Sequence, residues 1–139
     1  MTLTAQAVSD NSQVPGITAE TYIPDQLIAG QFPRVTGVGT LGAGTLSRGT
    51  VLGQVTATGN YIACVKTAAD GSQTPACVLL DYADASGGPV TIGFYETGEF
   101  NGNSLIIDPS WTLAQMSAAL RPLSIFVKPV VSAADPTQP

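Results

Sequence analysis

The sequence predicts a small, mainly β domain with one short α-helix. Apolar residues alternate with small or polar ones in Val90–Tyr95 (VTIGFY), the period of a strand with one buried face. Two more apolar runs, residues 61–65 and 76–80, lie on either side of the turn dipeptide Asp70-Gly71. The chain has 139 residues with 15 Gly, 10 Pro and only 11% charged residues. This composition favours one domain of short strands joined by tight turns.

The N-terminal residues are predicted to form an arm followed by an extended segment. Residues 1–19 are small, polar and aperiodic, and Pro15-Gly16 interrupts them. We interpret them as a flexible arm, with a processing remnant as the alternative. Residues 20–34 (ETYIPDQLIAGQFPR) contain bulky apolar side chains, and Pro24 and Pro33 hold the residues before them extended. We expect this segment to lie along a surface groove, either its own or a neighbour's.

Glycines dilute the apolar alternation of residues 35–47. Gly37, Gly39 and Gly42 have the spacing of a dinucleotide-binding fingerprint. That fingerprint also requires a following helix and an acidic residue about 20 positions on, and no Asp or Glu occurs between Gln31 and Ala69. We therefore interpret these glycines as turn and bulge positions. A turn at Arg48-Gly49 then leads into a strand over residues 50–55.

The central strand is predicted to be one arm of a hairpin. Thr97-Gly98 permits a turn, and Glu99-Phe100 would start the returning arm. Asn101-Gly102-Asn103 is a further turn, and residues 105–107 form an apolar run that predicts a short strand.

One helix has clear end signals in the sequence. Thr112 with Gln115 makes a capping box, and Trp111 with Met116 makes a hydrophobic staple around it. The helix is predicted over Leu113–Leu120.

The predicted helix has one apolar face and a clear stop. Leu113, Met116 and Leu120 share the face that we expect to lie on the sheet. Pro122 ends the helix, residues 123–127 return as a strand, and residues 128–139 with three prolines form a tail.

The residue types present do not predict an enzyme. The chain has no histidine, which removes the usual general base and the commonest transition-metal ligand. Asp81 with Asp84, or Glu96 with Glu99, could pair as acid and base, but strand residues three apart point to opposite faces. We expect no catalytic residue, no cofactor and no metal.

Acidic residues are separated from basic ones. No Lys or Arg interrupts residues 67–120, which hold six carboxylates: Asp70, Asp81, Asp84, Glu96, Glu99 and Asp108. We interpret them as a solvated rim, with a carboxylate cation site as the alternative. The two cysteines, Cys64 and Cys77, lie in apolar runs and are expected to be free core thiols, with a disulfide as the alternative.

The net charge and the hydropathy of the chain limit the classes of partner that it is expected to bind. A net charge of -5 and a pI of about 4.2 argue against binding to a nucleic-acid backbone. No apolar run approaches the length of about 20 residues that a spanning helix needs, and no basic and apolar N-terminal region predicts secretion. A mean hydropathy of +0.24 with so few charges predicts an oligomer in which a partner covers apolar surface.

Several stretches together resemble a known family. These are residues 90–100 (VTIGFYETGEF) after an acidic loop, Asp70-Gly71 with the apolar residues 76–81, and residues 119–127 (ALRPLSIFV). In this order and spacing they resemble the head decoration protein D family of tailed phages, typified by phage lambda. Residues 20–53 are similar to the prophage-encoded members. Cys64, Cys77 and the tail after Val127 depart from the family pattern.

The resemblance implies both a fold and a role. It implies a β-clip or β-tulip domain over residues 20–127, assembled as a homotrimer on the outside of an icosahedral head at its three-fold positions. Such proteins bind the major capsid (coat) protein and stabilise the expanded shell of the virion after synthesis in the host cytoplasm. In the family the N-terminal arm pairs with coat-protein backbone, which implies these contact residues: Thr18, Ala19, Glu20, Thr21, Tyr22, Ile23 and Pro24.

Two other functions remain open from the residues. One is a carbohydrate-binding or receptor-binding β module of a phage tail, for which Trp111 and four tyrosines are the available stacking platforms. The other is a β-clip hydrolase, which would need carboxylates that converge in a pocket.

Overall fold

A computed structural model describes residues 26–129, which form a closed β barrel, two short two-stranded sheets and one helix. The elements in chain order are β1 (Thr36–Leu41), β2 (Thr45–Leu46), β3 (Val51–Gln54), β4 (Tyr61–Ala63), β5 (Pro75–Leu79), β6 (Ala83–Asp84), β7 (Val90–Tyr95), β8 (Gly98–Asn101), α1 (Leu113–Leu120), a 3₁₀ turn (Arg121–Leu123) and β9 (Ile125–Lys128). The predicted class, mainly β with one short helix, is confirmed.

The barrel has the strand order β1-β4-β3-β5-β7 and closes between β7 and β1. The longest ladder joins β1 to β7 antiparallel, from Thr36 opposite Tyr95 to Leu41 opposite Val90. The predicted central strand therefore has neighbours on both sides, since β5 pairs with its other edge. The small sheets are β2 with β6 and β8 with β9.

Two groups of buried side chains stabilise the domain. The barrel core contains Leu41, Leu52, Cys77, Leu79, Ala85, Ile92 and Phe94. The helix-side core contains Leu27, Val51, Cys64, Val78, Phe100, Leu105, Met116, Leu120 and Ile125. Because strand side chains alternate between faces, β3 sends Val51 to one core and Leu52 to the other. Strands β3 and β5 thus form the wall that both cores share.

The helix forms where its end signals predict it. Gln115 N donates to Thr112 Oγ1 at 3.2 Å, and Thr112 N donates to Gln115 Oε1 at 3.2 Å, so the capping box is confirmed. Met116 is fully buried, and Trp111 packs against the same helix-side core. Leu113, expected on the same apolar face, lies against Gly102 but is still 40% exposed.

The predicted hairpin after the central strand was wrong. Strand β8 does not pair with β7 but with β9, in parallel, from Gly98 opposite Ile125 to Asn101 opposite Lys128. Thr97 Oγ1 accepts from Val35 N at 3.0 Å and donates to Pro33 O at 2.7 Å. Thr97 therefore holds the chain that enters β1, and the backbone leaves the barrel after it.

Three smaller predictions also differ from the structure. Residues 105–107 are not a strand, since only Ile106 forms an isolated parallel bridge, with Thr50. Leu123 belongs to the 3₁₀ turn rather than to the last strand, and Lys128, expected in the tail, ends β9.

The glycines divide into two groups. Gly49 and Gly71 have φ of +95° and +103°, which confirms their turns. Gly37 and Gly39 instead lie inside β1, where the turn and bulge interpretation was wrong. A Cβ atom on Gly39 would lie 2.8 Å from Tyr61 Cε2 and 2.9 Å from Phe94 Cε2. These glycines leave room for aromatic rings that fill the barrel end.

Candidate functional site

The residues expected to contact a partner precede the described part of the chain. Thr18, Ala19, Glu20, Thr21, Tyr22, Ile23 and Pro24 all lie outside residues 26–129. Their expected role stays a prediction. The segment that directly follows them, residues 26–30, is described, and we call it the lead-in segment.

The lead-in segment binds along strand β8. Leu27 O accepts from Asn101 N at 2.8 Å, and Ala29 N donates to Glu99 O at 2.9 Å. These two bonds flank an antiparallel bridge between Ile28 and Phe100. Leu27 is only 3% exposed and belongs to the helix-side core. For residues 26–30, the predicted groove is therefore the domain's own, with β8 between the lead-in segment and β9.

An aromatic and cationic surface follows the lead-in segment. Phe32 packs edge-on against Phe126 of β9, with ring centroids 5.1 Å apart. The Arg121 guanidinium lies 5.7 Å from the Phe126 centroid, within cation–π range. Arg34, whose Cγ lies close to Gly98 of β8, and Leu123, which ends the 3₁₀ turn that Arg121 begins, are both exposed. We call Phe32, Arg34, Arg121, Leu123 and Phe126 the cationic surface.

An acidic cleft of about 370 Å³ lies on the outer face of the barrel, at the start of β7. Residues 81–84 form one wall, and residues 90–93 form the floor. Tyr82 is 61% exposed, and Val38, which pairs with Gly93, is 76% exposed. Because Gly93 has no side chain, the floor is low at this point. We call Val38, Asp81, Tyr82, Asp84 and Gly93 the acidic cleft.

Two other clefts have different linings. One of about 300 Å³ lies between β3 and residues 106–109, and Asp108 is its only carboxylate. The other, of about 290 Å³, lies between α1 and β9 and is lined mainly by apolar atoms, with Leu113 and Val127 among the lining residues. Neither brings two acidic groups together.

Three carboxylates accept hydrogen bonds from nearby hydroxyl and backbone groups. Asp70 accepts from Ser72 Oγ at 2.5 Å, Asp84 from Thr45 Oγ1 at 2.9 Å, and Asp108 from Ser110 Oγ at 2.6 Å. Each also accepts the backbone N–H two residues on. Hydrogen bonds to serine side chains and backbone lower the pKa of all three carboxyl groups. These residues shape loops.

The expected acid pairs do not converge on a reacting position. Glu99 forms an ion pair with Lys128, Oε1 to Nζ at 3.0 Å, while the Glu96 carboxylate lies beside Gly37 of β1. Asp81 accepts from the Tyr82 backbone N–H at 2.9 Å. Within residues 26–129 there is no cluster of three or more metal-ligating side chains. The same part of the chain has no helix long and apolar enough to cross a membrane.

Both thiols are free and buried, as predicted. Burial raises the pKa of Cys64 to about 11, although the neighbouring Trp111 indole lowers it slightly, and burial raises the pKa of Cys77 to about 12. Trp111 Nε1 is buried with no conventional hydrogen-bond partner among the described residues. At neutral pH both thiols stay protonated and are poor nucleophiles.

Reasoning from the sequence missed both surfaces. The cationic surface depends on the contact between Phe32 and Phe126, which are 94 positions apart in the sequence. Pro33 and the extended character of residues 20–34 were the available signals. In the sequence, the only sign of the acidic cleft is the pair Asp81 and Asp84 in a loop. Its floor is formed only when β1 and β7 pair in the observed register.

Comparison with known proteins matches one family. The family model described as bacteriophage lambda head decoration protein D matches residues 17–126. The match includes the barrel, α1, the lead-in segment and the positions 18–24 discussed above. A comparison with curated protein sequences gives no match.

Proposed function

This chain belongs to the bacteriophage lambda head decoration protein D family, a family of structural phage head components, and we propose that it acts as a cement protein. In this proposal it binds the major capsid protein on the outer surface of an icosahedral head. It assembles there as a homotrimer at three-fold positions and stabilises the expanded shell. The observation that carries the proposal is the family match over residues 17–126.

The geometry of the lead-in segment supports a role for the residues before it. Backbone bonds from Leu27 and Ala29 to β8 fix the point at which the chain joins the domain. A segment tethered at a fixed point can add as a strand to an exposed sheet edge of a partner, and main-chain bonds then provide the affinity. We infer that residues Thr18 to Pro24 pair with coat-protein backbone in this way.

In the proposed trimer, individually weak contacts between each arm and the shell are sufficient for binding. Ordering an arm costs about 1–2 kcal/mol per residue in backbone entropy, so a short paired segment is favoured over a long one. Three arms presented together raise the effective concentration of the second and third contacts. The shell is then held by several weak contacts that act together.

The proposal is tested by two truncations of the N-terminus. Removal of residues 1–24 should leave a folded protein that no longer cosediments with undecorated expanded heads of its phage. Removal of residues 1–16 is the matched control, because it keeps every residue of the family match. Binding by the shorter protein at the level of the control would refute the contact role of residues 18–24. Failure of the full-length protein to bind heads would refute the proposed function itself.

Glycan binding has less structural support than capsid decoration. Trp111 packs against the helix-side core, so it is not available as a stacking platform. Within residues 26–129, Tyr82 is the only aromatic residue in the exposed class.

A further inference from the structure

We propose that neighbouring copies of this chain contact each other head to tail, with the cationic surface of one copy against the acidic cleft of the next. This inference rests on the homotrimer of the proposed function and identifies the two surfaces that would form it. It follows from the exposure, charge and position of both surfaces.

The cationic surface combines apolar area with two arginine side chains. The Phe32–Phe126 ring pair and Leu123 provide the apolar part. Lys128 is already paired with Glu99. By contrast, within residues 26–129 neither Arg34 nor Arg121 forms an ion pair with a carboxylate. Arginine beside aromatic rings is enriched in the centres of protein interfaces.

The acidic cleft is an uncovered part of the barrel's outer face. Ile92 and Phe94 of β7 point into the barrel core, so Gly93 between them faces outward. Val38 stands beside it with 76% of its surface exposed, an unusual position for a valine in the middle of a paired strand. Asp81 and Asp84 flank this apolar patch, and among residues 26–129 no Lys or Arg lines the cleft.

The chemistry of the two surfaces is complementary. The guanidinium groups of Arg34 and Arg121 suit the exposed carboxylate of Asp81, Asp84 adds negative charge nearby, and a guanidinium can also stack on the Tyr82 ring. The exposed Leu123 and the paired rings can cover Val38 and the depression at Gly93. A second copy of the chain therefore supplies both the charge and the apolar area that the cleft lacks.

The positions of the surfaces favour a ring. Arg34 lies two residues before β1, whereas the cleft lies beside Thr40 and Thr91, which pair near the other end of the ladder. At about 3.3 Å per residue, Arg34 lies about 13 Å from Val38 and about 20 Å from Thr40 along the ladder. An interface made of two different patches is heterologous, and such interfaces close into rings when the rotation permits. A two-fold dimer would instead have to bring both pairs of surfaces together at once in one symmetric interface.

Charge reversal on each surface, separately and together, tests the inference. One variant carries Arg34→Glu and Arg121→Glu, and the second carries Asp81→Lys and Tyr82→Lys. All four residues are exposed. Each double variant should associate at least about tenfold more weakly than the parent chain in sedimentation equilibrium, because like charges then face each other. The fourfold variant reverses both surfaces and should recover association.

The control introduces one acidic and one basic side chain outside both surfaces. Thr67→Glu with Thr74→Lys alters two exposed positions outside both surfaces and should leave association unchanged. Circular dichroism of every variant verifies folding. Equal association of all variants, or no recovery in the fourfold variant, would overturn the inference while head binding by the parent chain still supports the proposed function. For a parent chain that is monomeric in free solution, the same variants are compared by cosedimentation with expanded heads, where equal binding by all of them would overturn the inference.

Discussion

At the scale of single residues, glycine positions are as important for the packing of the barrel as the large side chains are. Gly39 of β1 lies under Phe94 and beside Tyr61, whose ring centroids are 4.8 Å apart. From the sequence, a glycine in an apolar run predicts a turn, a bulge or a close approach of another group. Only the β1–β7 register shows that close approach is the reason here, because it sets Gly39 opposite Ile92 and next to Phe94.

Replacing Gly39 by valine should destabilise the barrel. The new side chain would begin within 3 Å of two rings that are themselves packed, so overpacking should lower the free energy of unfolding by about 1–3 kcal/mol. Urea denaturation measures this change. Gly87→Ala is the matched control, since a Cβ atom there meets nothing within 4 Å. Equal urea midpoints for the two variants would contradict the packing role.

Serine side chains should control how the loops respond to acid. Ser110→Ala should raise the pKa of Asp108 towards its ordinary value of 3.8, because Ser110 Oγ no longer donates to it. In the parent chain the folded pKa is depressed, so this stabilisation is present above about pH 4 and decreases as pH falls through the folded pKa. The variant should therefore lose less stability below pH 4.

Carbon NMR titration of the side-chain carboxyl groups measures the Asp108 pKa directly. The pKa of Asp84, which depends on Ser86 and Thr45, should not change in the same variant. An unchanged Asp108 signal would show that the serine hydroxyl does not lower its pKa.

At the scale of elements, the ends of the helix could be predicted from nearby residues, whereas the pairing of strands could not. The residues that begin α1 are adjacent in sequence, so Thr112 and Gln115 predicted the helix with its observed bounds. The partner of β8 depends on residues more than 20 positions away, and a Thr-Gly dipeptide predicts a hairpin whichever strand follows. Thr97 is instead bonded to Pro33 and Val35, which no local pattern indicates.

Loss of the helix cap should have a moderate effect. Thr112→Ala removes the acceptor for Gln115 N and should lower the free energy of unfolding by about 1 kcal/mol. Thr67→Ala, at an exposed loop position, is the control and should change stability far less. The urea midpoints of the two variants are compared, provided that the dependence of the unfolding free energy on urea concentration is the same in both. A similar loss of stability in both threonine variants would refute the capping effect.

At the scale of the whole molecule, the two cores share one wall. Strands β3 and β5 contribute to both, with Cys64 near the helix and Cys77 in the barrel. The mainly β class, most strands and the free thiols could be predicted, because composition and alternation depend on local residues. The closed barrel and the candidate surfaces could not, because they require the register of β1 on β7 and the contact of Phe32 with Phe126.

A shared wall predicts that both cores unfold together. Cys64→Ala and Cys77→Ala each leave one thiol as a reporter of one core. With the pKa of these thiols raised to about 11 and about 12, neither should react with a disulfide reagent in the native state at pH 8. Both should become reactive over the same urea range as the loss of circular dichroism. Labelling of one thiol at clearly lower urea would show that its core opens separately.

Strand β8 also brings residues 27 and 128 close together in space. Leu27 bonds to Asn101 on one side of β8, and Lys128 bonds to Gly102 on the other, so both extremities reach the same level of one strand. Two inter-strand spacings put them about 10 Å apart, a gap that a linker of about four residues can span. The domain is therefore suited to circular permutation, with residues 129 and 26 joined and new termini opened at Gly87-Gly88. In such a permuted chain the barrel would be unchanged, while the attachment point for any fused sequence would move to the loop between β6 and β7.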